Sequence, residues 1–197
     1  MIRAKEISNW CRKKVIPCSI NTNSELCIRW IPPDEGIIKI NVDGSIFAQT
    51  NNVACGGVLR DSMGTCFMSF SCNLGNCSIM HAELWAIIKG LQIAAANEMN
   101  DVILESDLQM TIKLVREGCS QLHPCYSLLQ DINILVRRIH HVSICHTLSE
   151  ANFCADVMAK KGHQLGIGLH LFDHPIPEIY LPMLFDCAGT YRLRGSA

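Results

Sequence analysis

The chain is predicted to fold as an α/β domain built around a mixed sheet. Three features carry this. Strand-like runs with short connections crowd residues 37–71, a helical period takes over at residue 78, and helices and strands then alternate to about residue 161. At 197 residues with 49% apolar side chains, the chain suits one ordinary domain with extensions and can bury a real core.

Residues 1 to about 34 hold no sustained period, only a short basic run at Arg12, Lys13 and Lys14 that reads as a solvated patch. Pro32-Pro33-Asp34-Glu35-Gly36 is a breaker, and places the domain boundary. The first strand, 37–47, alternates Ile38, Ile40 and Val42 with Lys39, Asn41 and Asp43, the period of a half-buried strand. Residues 53–60 form the second strand, with Gly56-Gly57 as a bulge or a point of close approach. A turn at 61–64 leads to the third, 65–71, and such short links imply an antiparallel meander.

A helix runs from an N-cap at Ser78 to about Asn97, with Met80, Leu84, Ile87, Ile88, Leu91, Ala94 and Ala95 on its apolar stripe. The fourth strand, 101–106, precedes helices at 108–117 and about 125–139, and the fifth strand is 141–146. A helix over 152–161 stops at Gly162. The order is βββ-α-β-α-α-β-α, and right-handed crossovers make strands one, four and five parallel. The division is a 1–34 extension or linker, a 35–165 domain, and a 166–197 extension with a short helix near 179–185.

Composition excludes several classes of function. A net charge of −1 gives no global basic field for nucleic acid, so such a partner would need local cations. None of the twelve cysteines forms a C-x-x-C pair, which removes zinc ribbons and thioredoxin-like redox sites. No signal peptide and no run of 18 apolar residues is present, so free, mostly buried thiols in the nucleus or cytoplasm are expected, with no membrane partner. His170 and His174 read as a surface loop rather than a metal site.

Four carboxylates stand out. Asp43 lies within or at the end of the first strand, ahead of Gly44, and strands disfavour Asp. Glu83 lies inside an apolar helical stripe, Asp107 ends the fourth strand, and Asp156 falls early in the helix over 152–161. Each has a simpler reading: a turn at Asp43-Gly44, a buried pairing for Glu83, an N-cap at Asp107, a helix-dipole role for Asp156. Together they suggest a cluster at the carboxyl ends of parallel strands, where open α/β sheets place ligands. Clustered carboxylates need cations, and hard oxygen donors suit Mg²⁺. Two such ions ~4 Å apart serve phosphodiester hydrolysis.

Five motifs in order, Lys39-Ile40-Asn41-Val42-Asp43-Gly44-Ser45, Gly56-Gly57-Val58-Leu59-Arg60-Asp61, His81-Ala82-Glu83-Leu84-Trp85-Ala86, Leu104-Glu105-Ser106-Asp107, and His146 followed by Glu150-Ala151-Asn152 and Ala155-Asp156, carry a resemblance over roughly 30–165. On these the chain resembles type 1 ribonuclease H, and within it the plant ribonuclease H-like domain related to non-LTR retrotransposon reverse transcriptases. The resemblance implies a five-stranded mixed sheet, order 3-2-1-4-5, with helices on both faces. It also implies cleavage of the RNA strand of RNA–DNA hybrids with two Mg²⁺ ions, Mn²⁺ being an alternative. Asp43, Glu83, Asp107 and Asp156 match the family's metal-binding carboxylates, and His146 its mobile histidine. Met80 stands where cellular enzymes carry an Asn that touches RNA, Leu108 where Ser is common, and Ser149 where plant relatives usually carry Arg. The expected partner is an RNA–DNA hybrid, met by a monomer or by part of a longer reverse-transcriptase-like polyprotein. The alternative is a domesticated nucleic-acid-binding or scaffold domain with little or no nuclease activity.

Overall fold

The computed structural model describes residues 27–194, so the basic run at 12–14 lies outside the described residues. A short antiparallel pair joins β1 (Cys27–Ile28) to β8 (Arg192–Leu193), tying the two ends of the described chain. The main sheet holds β2 (Ile38–Phe47), β3 (Asn52–Arg60), β4 (Cys66–Gly75), β5 (Asp101–Ser106), β6 (His141–His146) and β7 (Gly168–Phe172) in the order β6-β5-β2-β3-β4-β7. β2, β3 and β4 form the expected antiparallel meander, and β2, β5 and β6 the expected parallel set.

The expected five-stranded order is present, but the sheet has six strands. The additional strand, β7, pairs antiparallel with β4 from Ser69↔Phe172 to Cys72↔Leu169. It is a five-residue edge strand whose Leu169 and Leu171 face outward, so it lacks the long alternating run that marks an inner strand. His170 therefore sits on a strand, with Nε2 donating to the Gly166 carbonyl at 2.9 Å.

Helices cover both faces. The helix α1 (Ile79–Ala96) starts at Ser78, whose hydroxyl accepts the His81 N–H at 3.3 Å. Leu84, Ile87, Ile88 and Leu91 of α1 pack on Ile40, Val42, Cys55 and Leu59. The helices α2 (Gln109–Glu117) and α3 (Tyr126–Val136) complete that side, α3 through Leu128, Leu129 and Ile132. A 3₁₀ turn over Ser149–Ala151 leads into α4 (Phe153–Gly162) on the opposite face, where Cys154 and Met158 meet Val58 and Ile179 of α5 (Pro177–Cys187). Gly56 permits this layer: a Cβ there would lie 2.3 Å from the Met158 carbonyl carbon and 2.4 Å from the Ala159 nitrogen. Gly56→Ala is accordingly expected to cost about 3 kcal/mol or more, read as a lower denaturation midpoint, because the obstructing atoms are backbone.

The polar side of β2 is not solvated, contrary to its half-buried pattern. Lys39 and Asn41 are fully buried, and so is Arg60 of β3. Trp30 donates from Nε1 to Asn41 Oδ1 at 2.9 Å and lies under the Arg60 guanidinium, 3.7 Å from the ring centroid. Lys39 pairs with Glu105 at 3.0 Å and Arg60 with Asp186 of α5 at 2.8 Å. A strand face that reads as polar is thus a buried hydrogen-bonded and ion-paired network, in which Nε alone of the Arg60 guanidinium nitrogens has no partner. No disulfide joins the ten described cysteines, and six of them are buried. Among the described residues no helix is long and apolar enough to cross a membrane.

Candidate active site

The parallel strands β2 and β5 run side by side, and Asp43 and Asp107 each lie two residues past their last pair, Asn41↔Glu105, at the same end of the pairing. Glu83 arrives from the first turns of α1. Gly44 lets that helix come close, since a Cβ there would sit 3.0 Å from the Glu83 nitrogen. The Gly44 N–H donates to Glu83 Oε1 at 3.1 Å, and the Ser106 hydroxyl donates to Glu83 Oε2 at 3.1 Å. Both carboxylate oxygens of Glu83 are therefore aimed by neighbours of Asp43 and Asp107. Carboxylate oxygens of Asp43, Glu83 and Asp107 lie within 4.8 Å of one another.

The simpler readings of Asp43, Glu83 and Asp107 do not match the contacts, since β2 continues past Asp43-Gly44 to Phe47, whereas Asp156 keeps a place that suits the helix dipole. Asp107 is not a helix cap: Leu108 precedes α2, with no side-chain cap bond, while Asp107 Oδ2 accepts the Ser149 hydroxyl at 2.6 Å. Glu83 is held by a backbone amide and a hydroxyl rather than a basic side chain. Asp156 stands outside the tight trio, in the first turn of α4, and pairs with Lys160 at 2.8 Å. His146 Nε2 lies 3.0 Å from the Asp107 carbonyl. A carbonyl only accepts, so Nε2 carries the proton in this contact and Nδ1 keeps a lone pair in the neutral ring.

Burial, followed by the charges of Glu83, Asp107 and Asp156, raises the Asp43 pKa well above the ordinary Asp range. Burial, followed by the Asp107 charge, pushes Glu83 up to about 8, against the lowering effect of its bonds from Ser106 and Gly44. Such raised values mark negative charge that the protein alone does not neutralise. The donor set of the trio is oxygen only, and it fits a hard divalent cation. Because the folded pKa of Glu83 exceeds its ordinary 4.5, its contribution to stability is full below about pH 4.5 and is lost as pH rises through about 8. Metal-free protein is expected to melt at falling temperature across this window, and a divalent cation to restore the melting temperature above it, as thermal scans with and without chelator would record.

Four residues of the site had no role in the sequence reading. Ser106 and Ser149 hold Glu83 and Asp107. Lys160 pairs with Asp156, a spacing of four that a helical wheel would have found. Asn152, just ahead of α4, donates to the Val42 carbonyl at 2.9 Å and accepts from Asn41 at 3.3 Å, which fixes the start of α4 beside Asp43. A groove of about 370 Å³ opens next to His146, lined by Gln109, Met110, Ile112, Lys113, Arg116 and Glu117.

Known proteins share the fold that carries these residues. The family described as reverse transcriptase-like matches residues 41–162. An Arabidopsis thaliana protein provisionally named a ribonuclease H protein is 35% identical over 171 residues, covering 86% of this chain. The chain spans 27% of that relative's length. Ribonuclease H1 from the halophilic archaeon Halobacterium salinarum superposes with a TM-score of 0.60 at 22% identity, over 65% of this chain and 98% of that one. LC11 ribonuclease H1, isolated from compost and solved in complex with an RNA/DNA hybrid, gives 0.56 at 18% identity, over 63% of this chain and 94% of that one. With the family match extending from the strand that carries Asp43 to the end of the helix that carries Asp156, the chain belongs to the reverse transcriptase-like family and has its ribonuclease H-like fold.

Proposed function

We propose that this chain is a metal-dependent endonuclease that hydrolyses the RNA strand of RNA–DNA hybrids, leaving 5′-phosphate and 3′-hydroxyl ends. The observation that carries the reading is the convergence of Asp43, Glu83 and Asp107 at one end of a ribonuclease H-like sheet. Asp43 and Asp107 would hold two Mg²⁺ ions between them, with Glu83 and Asp156 holding one each, and Mn²⁺ could substitute. Bound in this way, the ions would supply an activated water and charge neutralisation at the leaving oxygen. Ser106 and the Gly44 amide orient Glu83, and Ser149 orients Asp107, so the carboxylates would receive the cations without reorganising. His146, anchored through Nε2 to the Asp107 carbonyl, offers Nδ1 as a proton acceptor at the rim. The water oxygen bonds to phosphorus, the P–O3′ bond breaks, and the 3′ oxygen takes a proton. Lys113 and Arg116 line the adjoining groove and would meet the nucleic-acid backbone. The protein would act as a monomer, or as the ribonuclease H segment of a longer reverse-transcriptase-like, retrotransposon-derived polyprotein.

Met80 favours a second reading. It accepts the Thr111 hydroxyl on sulfur at 3.3 Å and offers no amide to an RNA strand. A domain of this kind could bind a hybrid without cutting it. A panel of labelled RNA–DNA hybrid, duplex RNA and duplex DNA with Mg²⁺ separates the two. Selective cutting of the hybrid supports the enzyme. Binding of hybrid without turnover supports the binding module, and equal cutting of all three contradicts hybrid specificity.

A further inference from the structure

We propose that Asp101, His140 and His141 form a second metal site, for Zn²⁺ or a similar borderline-soft transition ion, at the end of the sheet away from the carboxylates. The parallel strands β5 and β6 pair in register from Asp101↔His141 at their first residues to Ser106↔His146 at their last. Asp107 follows the last pair, and a six-residue strand spans roughly 17–20 Å, so the two centres are separate. One donor atom from each of Asp101, His140 and His141 falls within a set no more than 4.8 Å across. His141 Nδ1 lies 2.9 Å from Asp101 Oδ1, and the two imidazole centroids are 4.2 Å apart. The His141 N–H donates to the Asn100 carbonyl at 2.8 Å, fixing the backbone from which the pair projects.

A histidine–aspartate hydrogen bond that merely closes a strand end would account for His141 and Asp101. It does not account for the His140 ring nitrogen in the same set. Two imidazoles and a carboxylate select Zn²⁺, Ni²⁺ or Cu²⁺ over Mg²⁺, the reverse of the oxygen-only trio. The His141 and Asp101 side chains are 64% and 46% exposed, so solvent can complete the coordination shell, as in sites with three protein ligands.

The test is titration with Zn²⁺ alone against a competing indicator, using wild type, Asp43→Asn and the double variant His140→Ala/His141→Ala, each checked for fold by circular dichroism. The site predicts one equivalent bound by wild type and Asp43→Asn, and affinity at least roughly tenfold weaker in the double variant, about 1.4 kcal/mol. Titration with Co²⁺ should give visible bands without a thiolate charge-transfer band, which sets the site apart from the free cysteines. The proposal is overturned if wild type binds no Zn²⁺, if the double variant binds as tightly as wild type, if Asp43→Asn removes the binding, or if the cobalt spectrum shows thiolate.

Discussion

Asp43→Asn is expected to lower hybrid cleavage by roughly a thousandfold or more, a loss of about 4 kcal/mol of transition-state stabilisation, while leaving the metal-free protein at least as stable as wild type. The two effects have one origin. Asp43 is 6% exposed, and its charge is opposed by burial and then by Glu83, Asp107 and Asp156. The amide keeps the shape and removes the charge, which relieves repulsion in the metal-free protein and removes a ligand where cations are needed. Stability and activity should move in opposite directions, as melting temperatures in chelator and single-turnover rates in Mg²⁺ would show. A residue that served only the fold would lower both together.

Asp186→Ala is expected to be the most destabilising surface-distant change, costing about 3–5 kcal/mol. Asp186 accepts from Arg60 at 2.8 Å on one oxygen and from Arg192 at 2.9 Å on the other. Arg60 is fully buried, so losing Asp186 leaves a guanidinium without its ion pair in the interior. Arg192 also donates to the Glu150 carbonyl at 2.7 Å, ahead of Asn152, so the loss reaches the loop that leads to Asp156. Denaturant unfolding of Asp186→Ala, Arg60→Met and the double variant would measure this. The double variant should be more stable than Asp186→Ala alone, since the fully buried Arg60 charge is then no longer stranded.

These expectations separate what local sequence encodes from what only the fold assembles. Strand β5 and strand β6 were legible to the residue, because each is a short apolar run bounded by polar ends, and α1 was legible from its Ser78 cap and its stripe. The order of the other five strands came from the family motifs, and the trio followed, since Asp43 and Asp107 each lie two residues past Asn41↔Glu105, the last parallel pair of β2 with β5. The buried side of β2 was not legible. Lys39, Asn41 and Arg60 are polar residues that a two-residue period assigns to solvent, and the partner that neutralises Arg60 lies 126 residues away. Strand β7 was missed because an edge strand has one neighbour and needs little apolar pattern. The pairing of His141 with Asp101 depends on strand register, which no local window contains.

The measurement that bears most directly on the carboxylate centre is cleavage of a hybrid with end-labelled RNA by the folded protein, with Mg²⁺ and then with chelator. The predicted result is an RNA strand cut to fragments with 5′-phosphate and 3′-hydroxyl ends in Mg²⁺, and an intact strand after chelation. An intact hybrid in the presence of folded, Mg²⁺-bound protein, or cutting that chelator leaves unchanged, would contradict the assignment.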